Sequence, residues 1–398
     1  MQRKWTFSVA CDEGINQPAT DPMINSAKSV PTWNTMRRFL LLALGMMVIT
    51  QGHILAQSTA GGGSAVPFLL IAPNARYAAM GEAGAAIAND VNATFFNIGG
   101  LGFQKNTQVS INYSKWLPQF NADLHYGFLS GSMFFDDLGG TLSAHIIYLD
   151  LGEFQQTFEN GQSGQRFRSQ EYAIGVGYAT ELSSDVGFGV QARYIESNLS
   201  NIKIEGVEGS GVGRSVGLDI GALWRPKTNW GMPEDFLNFG ATLTNVGPKI
   251  HYIDIQQADP LPTSLRLGSA FHVVKDEFND LTFTADINKL LINRPDSAQV
   301  DPVPISLVTS WSNGRGVELS FGAEYWYDDA IALRAGYFTE SANSGNREFL
   351  TFGAGVRYQE FGLDFSYINT IEEAHPLANT LRFSLLVDLD YKKKPTKP

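Results

Sequence analysis

From residue 107 onward, apolar and polar positions alternate along the chain with a period of two. Val186, Phe188, Val190, Ala192 and Tyr194 are apolar, whereas Gly187, Gly189, Gln191 and Arg193 between them are small or polar. Val216, Leu218, Ile220, Ala222 and Trp224 stand in the same way against Ser215, Gly217, Asp219 and Gly221. Val317, Leu319, Phe321, Ala323 and Tyr325 stand against Glu318, Ser320, Gly322 and Glu324, and the rhythm returns over residues 350–358 and 381–389. This period puts successive side chains on opposite faces of an extended chain. Reading every such run predicts about fourteen strands, over 107–116, 123–135, 139–150, 168–180, 185–197, 213–225, 236–246, 262–274, 280–289, 315–327, 330–340, 347–358, 360–369 and 379–389. Many are 10 to 13 residues long. Strands of soluble proteins average about 5 or 6 residues, while a tilted strand crossing a bilayer needs about 9 to 11. The even count and the lengths predict an all-β fold, a transmembrane antiparallel β-barrel.

The connections give an independent test. Those after the even-numbered strands are short, at 136–138, 181–184, 275–279, 328–329 and 359, with 226–235 as the exception. The others include long ones, at 151–167, 198–212, 247–261, 290–314 and 370–378. Outer-membrane barrels sort their connections this way, with short periplasmic turns and long outer loops. Tyr178, Trp224, Tyr325 and Tyr358 fall at the short-turn ends of their strands, and Tyr194, Tyr337 and Tyr367 at the long-loop ends. Two interfacial girdles of amphipathic rings would require that placement, although aromatic residues are common in any strand. Glu318, Glu324, Asp219, Arg193 and Arg357 share the face opposite the apolar stripe. An arginine facing hydrocarbon near the midplane would cost about 2 to 4 kcal/mol, so these groups are expected to point into the lumen.

Composition agrees with a barrel and removes other classes. Charged residues make up 17% of the chain and aromatic residues 12%, with 40 glycines. Soluble domains carry about 25% charged residues. The net charge of −11 offers no basic stripe for nucleic acid. Only one stretch approaches the length of a helical membrane span. It is Met36-Arg37-Arg38 followed by an apolar run over 39–49 and then Ile54-Leu55-Ala56-Gln57, the layout of a signal peptide over 36–56 cut after Ala56. Residues 1–35 are expected to be an upstream extension, with translation starting at Met36. The one cysteine, Cys11, lies in that extension, so the mature chain is expected to hold no disulfide and no thiolate-bound metal.

Between the leader and the first strand, residues 57–104 are rich in small residues and lack the alternation. The stretch is too short for a soluble domain with its own core, so its expected place is inside the barrel, as a plug. The barrel itself is assigned to 105–391 and a solvated basic tail to 392–398. Chemical motifs are sparse. The six histidines form no pair of the HExxH kind. His125 and His145 lie on neighbouring predicted strands with Ser143 close by, a pattern that a lipase working at the lipid face could use and that ordinary strand residues also explain. The glycine-rich run over 209–215 lacks a lysine and leads into a strand, so it is no phosphate loop. Asp136-Asp137 and Asp328-Asp329 are expected to be turn residues. No catalytic residue, cofactor or metal is predicted.

Certain stretches are more specific. The run from Pro67 through Pro73-Asn74-Ala75-Arg76 to Met80-Gly81-Glu82-Ala83-Gly84, the segment from Phe239 to Gly247, Leu261 to Gly268, and the ending His375 to Ser384 together resemble the PorV family. These are outer-membrane proteins of the Bacteroidetes type IX secretion system, related to the FadL fatty-acid transporters. The resemblance implies a FadL-like barrel with an N-terminal hatch whose motif residues are Pro73, Ala75, Arg76, Met80, Gly81, Gly84 and Asn97. It implies a shuttle without chemistry of its own. Such a shuttle would take cargo bearing a C-terminal secretion domain from the SprA translocon and deliver it to the PorU-type sortase for attachment to surface lipopolysaccharide. The outer loops are its expected contact points, through Phe154, Phe158, Phe167, Leu199, Ile202, Ile292 and Trp311. The alternative is a FadL-type transporter of hydrophobic small molecules, for which the apolar run Phe68 to Ile71 is the best argument. One departure stands out. The family's Asn-Pro-Ala is replaced by Asn97-Ile98-Gly99-Gly100-Leu101, which exchanges a rigid turn for one expected to be flexible.

Overall fold

In a computed structural model of the chain, the described residues are 63–391 without 121–122, 159, 201, 203–210, 228–235, 254–256, 295–299, 314, 342–343 and 373–374. The predicted extension, the signal peptide and the basic tail lie outside them.

Fourteen strands close into one antiparallel barrel, in which each strand pairs with its sequence neighbours and β1 pairs with β14. They are β1 (Gln108–Lys115), β2 (His125–Phe135), β3 (Gly140–Thr157), β4 (Ser163–Ser183), β5 (Val186–Asn198), β6 (Val212–Trp224) and β7 (Leu237–Val246). The second half comprises β8 (Ser264–Lys275), β9 (Asn279–Leu290), β10 (Val317–Tyr327), β11 (Ile331–Glu340), β12 (Glu348–Tyr358), β13 (Phe361–Thr370) and β14 (Leu381–Asp388). Closure pairs every strand on both sides, which a barrel surrounded by lipid requires, although β6 meets β7 only from Leu218 onward. The seam is in register over Gln108↔Asp388 to Ser114↔Arg382.

The alternation decides the faces. Val216, Leu218, Leu333 and Leu363 on the outer surface are each more than half exposed, while Arg193, Asp219 and Glu324 are no more than 4% exposed. Glu318 and Arg357 share the inner face and are partly covered. The girdle aromatics also use their polar ends. Tyr178 Oη donates to the Leu138 carbonyl at 2.8 Å, Trp224 Nε1 to Asp185 at 3.1 Å and Tyr325 Oη to Asn279 at 2.6 Å, all at the short-turn ends. At the other rim, Tyr194 Oη donates to Glu196 at 2.8 Å and Tyr367 Oη to Asn379 at 2.6 Å. Each ring thus lies on the wall with its hydroxyl, or the indole N–H of Trp224, turned toward a polar rim group. Leu218 is the central residue of β6 and faces out. Leu218→Arg is expected to cost about 2 to 4 kcal/mol, read as a lower fraction of folded, heat-modifiable barrel in bilayers; unchanged folding would refute the orientation.

The predicted loop over 151–167 is corrected in part. β3 and β4 continue their ladder beyond the wall, pairing Gly152↔Ser169 through Thr157↔Ser163, with bulges on either side of Gly152 and Gln155. β2 and β5 end their pairing at Asp150 and Gln170, so this extension is a free-standing hairpin. Its alternating residues, Phe154 opposite Phe167 among them, can carry a ladder with no membrane around it. The loop after β9 is not featureless either, since it holds the helix Val303–Thr309. At the opposite rim, Asp328 and Asp329 both have φ 52° in the tight turn 328–330, where Ala330 N donates to the Tyr327 carbonyl at 3.0 Å.

Candidate functional site

The residues from 63 to 104 lie within the barrel and pack against its wall. Two four-residue helices, α1 (Ala75–Ala78) and α2 (Ala93–Phe96), and two 3-10 turns, Pro67–Leu70 and Ile98–Phe103, make up their regular structure. So many small residues allow tight folding without a core of its own. The apolar residues instead pack on inward wall residues, Phe68 and Leu69 with Tyr126, Phe128 and Ile147.

Each predicted plug residue is buried, and most hold the plug to the barrel. The corner Pro73-Asn74-Ala75 sits at the barrel seam. Asn74 caps α1 by accepting from Arg76 N at 2.8 Å, and its amide nitrogen donates to Asn112 of β1 and Ser384 of β14 at 2.9 and 3.2 Å. Ala75 N donates to the same serine hydroxyl at 2.8 Å. Arg76 forks onto Glu324 of β10, with Nε to Oε2 at 2.9 Å and Nη2 to Oε1 at 2.7 Å, while Nη1 reaches Asp90 at 2.9 Å. Behind it the charges alternate around the wall. Arg334 Nε donates to Glu324 at 2.6 Å and its Nη1 to Asp364 at 2.8 Å, and Arg357 Nη2 donates to the other oxygen of Asp364 at 2.8 Å. Glu324, Arg334 and Asp364 are all buried. Ions removed from water in this way are tolerable only when paired in good geometry, and here Arg334 Nη2 is left without a hydrogen bond among the described residues.

Further along, backbone meets wall directly. Gly81 has φ 64° and donates its N–H to Thr351 at 2.9 Å, and a Cβ there would lie 2.4 Å from the Tyr337 carbonyl oxygen. Met80 packs in the cluster with Tyr77 and Phe96. Gly84 N and Ala85 N both donate to Asp286 of β9, at 2.8 and 2.9 Å. Asn97 donates to the Ala85 and Ala222 carbonyls at 2.7 and 2.9 Å, tying two parts of the plug to β6. The turn that follows is corrected. Gly99 and Gly100 lie in a buried 3-10 turn, where a Cβ would come within 2.7 Å of Ala222 Cα and 1.8 Å of the Ala88 carbonyl oxygen. These glycines serve close approach rather than flexibility.

Wall glycines meet the plug in the same manner. A Cβ on Gly336 would sit 2.0 Å from Gly81 N, and one on Gly240 would sit 2.0 Å from the Ala85 carbonyl oxygen. A cavity of about 20 Å³ remains beside the plug, lined by Leu69, Phe95, Phe96, Arg193, Asn245 and Arg266 among others. That is room for about one water. Ser143 and His145 face the lumen, away from lipid, whereas His125 bonds the Tyr113 hydroxyl at 2.8 Å on the outer side. The three do not converge at the lipid face.

The predicted loop residues are spread over three outer segments. Phe154 and Phe167 stack at 5.7 Å, and Phe154 and Phe158 are about half exposed on the hairpin. Leu199 is exposed and its carbonyl accepts from Ser169 at 2.6 Å. Ile202 and Ile292 are partly covered, and Trp311 is exposed. Sequence reading missed Asp90 within the plug and Asp286, Arg334 and Asp364 on the wall. The alternation marked Glu324 as inward, but nothing local marked the partner of Arg76, 248 residues away.

A family signature, that of the type IX secretion system protein PorV, matches residues 56–297, which include the plug and the first nine strands. The chain belongs to the PorV family. It is therefore an outer-membrane component of type IX secretion, and its barrel sits in a bacterial outer membrane. No curated relative matches it. Among solved structures it is similar to the toluene transporter TbuX of Ralstonia pickettii, at 13% identity over 79% of this chain and 97% of that one, with a TM-score of 0.48. The toluene transporter TodX of Pseudomonas putida is 13% identical, over 78% of this chain and 95% of that one, with a TM-score of 0.49. A FadL homologue of Pseudomonas aeruginosa is 12% identical, over 79% and 98%, with a TM-score of 0.44.

Proposed function

We propose that this PorV-family barrel is a shuttle and adaptor. It takes cargo bearing a C-terminal secretion domain from the SprA translocon and delivers it to the PorU-type sortase, working from its outer surface with no reaction of its own. The observation that carries this reading is the fastened plug. The cavity beside the plug, about 20 Å³, is far smaller than a ligand site, since those run to about 300 Å³ or more. Function then falls to the loops, as it commonly does on a rigid scaffold. The hairpin beyond residue 150 is the foremost of them, with Phe154 and Phe158 as aromatic anchors of the kind that dominate binding. The transporter reading loses its best argument, because Phe68 and Leu69 are spent on packing against the wall.

The test is removal of the gene followed by analysis of the cell surface and medium. Loss of many surface proteins is expected. Normal secretion together with failed uptake of fatty acids would replace the shuttle by the transporter. At residue level, the double variant Phe154→Ser/Phe158→Ser is expected to fold normally. Its affinity for cargo or translocon in a detergent pull-down should fall by about 2 kcal/mol or more, a rise in Kd of roughly thirtyfold. Undiminished capture would remove the hairpin from the contact surface.

A further inference from the structure

The helix Val303–Thr309 in the loop between β9 and β10 is turned inside out. Its buried stripe contains Ser306 and Ser310, whereas Pro304, Ile305, Val308 and Trp311 are exposed, Val308 to 75%. Positions 304, 305, 308 and 311 fall on one side of a helix. A helix facing water carries its polar residues on that side. Here the sequence from Pro302 to Asn313 holds no charge at all.

The wall beneath explains where this apolar side points. On β9 the odd positions face lipid, and Phe283 and Ile287 are about half exposed. Lys289 is next in that row, yet it is only 2% exposed. It is covered by the loop, since its ammonium donates to the Arg315 carbonyl and lies 5.9 Å from the Trp311 ring. Lys289 pairs with Leu265 of β8 and Val317 of β10, one step above the row formed by Leu267, Ile287 and Leu319. The loop therefore folds back over the outside of the barrel at its outer rim, and its exposed side continues the lipid-facing surface.

Apart from the buried Ser310 hydroxyl, which has no partner among the described residues, the segment pairs its polar side chains mostly within itself. Ser306 donates to the Val303 carbonyl at 3.0 Å, Thr309 to Ile305 at 3.2 Å, Trp311 Nε1 to Leu307 at 3.0 Å and Ser312 to Thr309 at 2.7 Å. Thr309 also donates to Asp301, which holds the end of the loop together with Asn293. Internal pairing of this kind is what an environment without water demands.

We infer that Ile305, Val308 and Trp311 lie among the acyl chains of the outer leaflet, making this loop an interfacial anchor that fixes the barrel's depth and tilt. Burying an apolar helix side at the boundary of headgroup and acyl chain is favourable in proportion to its area, with the tryptophan at the interface. The anchor is separate from the shuttle reading and survives its failure.

The test places a nitroxide on Val308→Cys, and separately on Ile305→Cys, in a Cys11→Ser background of the full chain folded into liposomes that contain lipopolysaccharide. Labels at Ile287 and Phe158 provide lipid and water references. The expected result is that a soluble nickel complex reaches position 308 as poorly as position 287, while oxygen, which concentrates in acyl chains, reaches it well. Nickel access equal to that at 158 would place the helix in water and overturn the inference. Exclusion of both reagents would mean that protein covers it, which overturns it too. Since the two labelled sites flank one turn, a result at 305 that agrees with 308 also shows that neither label has displaced the helix.

Discussion

Arg76→Ala is expected to release the plug from the far wall of the barrel. The guanidinium makes three charge-assisted bonds to Glu324 and Asp90 within a buried site. Removing one partner of a buried pair leaves the other charge without compensation, which costs about 3 to 5 kcal/mol. Glu324 would keep only Arg334, at 2.6 Å, and Asp90 would keep no ion pair among the described residues. Hydrogen exchange of the amides over 75–101, compared between wild type and variant, measures the effect. Protection should fall there by about two to three and a half orders of magnitude, since each 1.4 kcal/mol is a factor of about ten, and fall little in β1 to β14. Single-channel recording gives a second readout, because a plug that leaves part-time lets ions through a lumen otherwise filled. The double variant Arg76→Ala/Glu324→Ala is expected to recover part of the loss, since the stranded carboxylate goes with its partner. Unchanged protection in Arg76→Ala would mean that the hydrogen bonds of Asn74, Gly81 and Asp286 suffice. The charge chain would then be a property of the wall alone.

The wall was far more legible in the sequence than the site. Every predicted strand exists, because a period of two is a local property and lipid on one face enforces it. The ends that moved most are those of β3 and β4, where the ladder leaves the membrane and residues such as Glu153 and Arg166 no longer have to sort by face. The plug was legible as a place, from its small residues and the missing alternation. Its fastening was not. Asn74 meets Asn112 and Ser384, Gly84 meets Asp286, and Arg76 meets Glu324, contacts that join positions up to 310 apart in the chain. No periodicity carries such pairings. The inward glycines are visible in the alternation, but a missing side chain says nothing about which backbone will fill its place. The inverted helix escaped for a related reason. A seven-residue segment inside a long loop has too few turns to display a stripe, and whether that stripe faces water or lipid depends on the loop folding back over Lys289.

Those inward glycines lead to the second large effect, in Gly336→Ala. Gly336 lies in β11 on the lumen side, where an added Cβ would fall 2.0 Å from Gly81 N and 2.6 Å from Met80 Cα. Both atoms belong to backbone, so no rotamer change relieves the contact and either the strand or the plug has to move. Overpacking costs about 1 to 3 kcal/mol where side chains can adjust, and here the upper end of that range is expected. Gly81 offers no relief, because its φ of 64° and its bond to Thr351 hold it against the wall. Gly131→Ala is the control. It lies in β2, where the nearest atom to an added Cβ is the Gln108 carbonyl oxygen at 4.0 Å. Alanine also loses less backbone freedom on folding than glycine, by about 0.5 to 1 kcal/mol. Thermal unfolding in one detergent should therefore move in opposite directions, down for Gly336→Ala and level or up for Gly131→Ala, although both exchange the same residues within a strand. A similar fall in both would mean that these glycines are needed for the curvature of the barrel. A fall in Gly336→Ala alone, together with loss of amide protection over 75–101, means that the wall is carved to the shape of its plug.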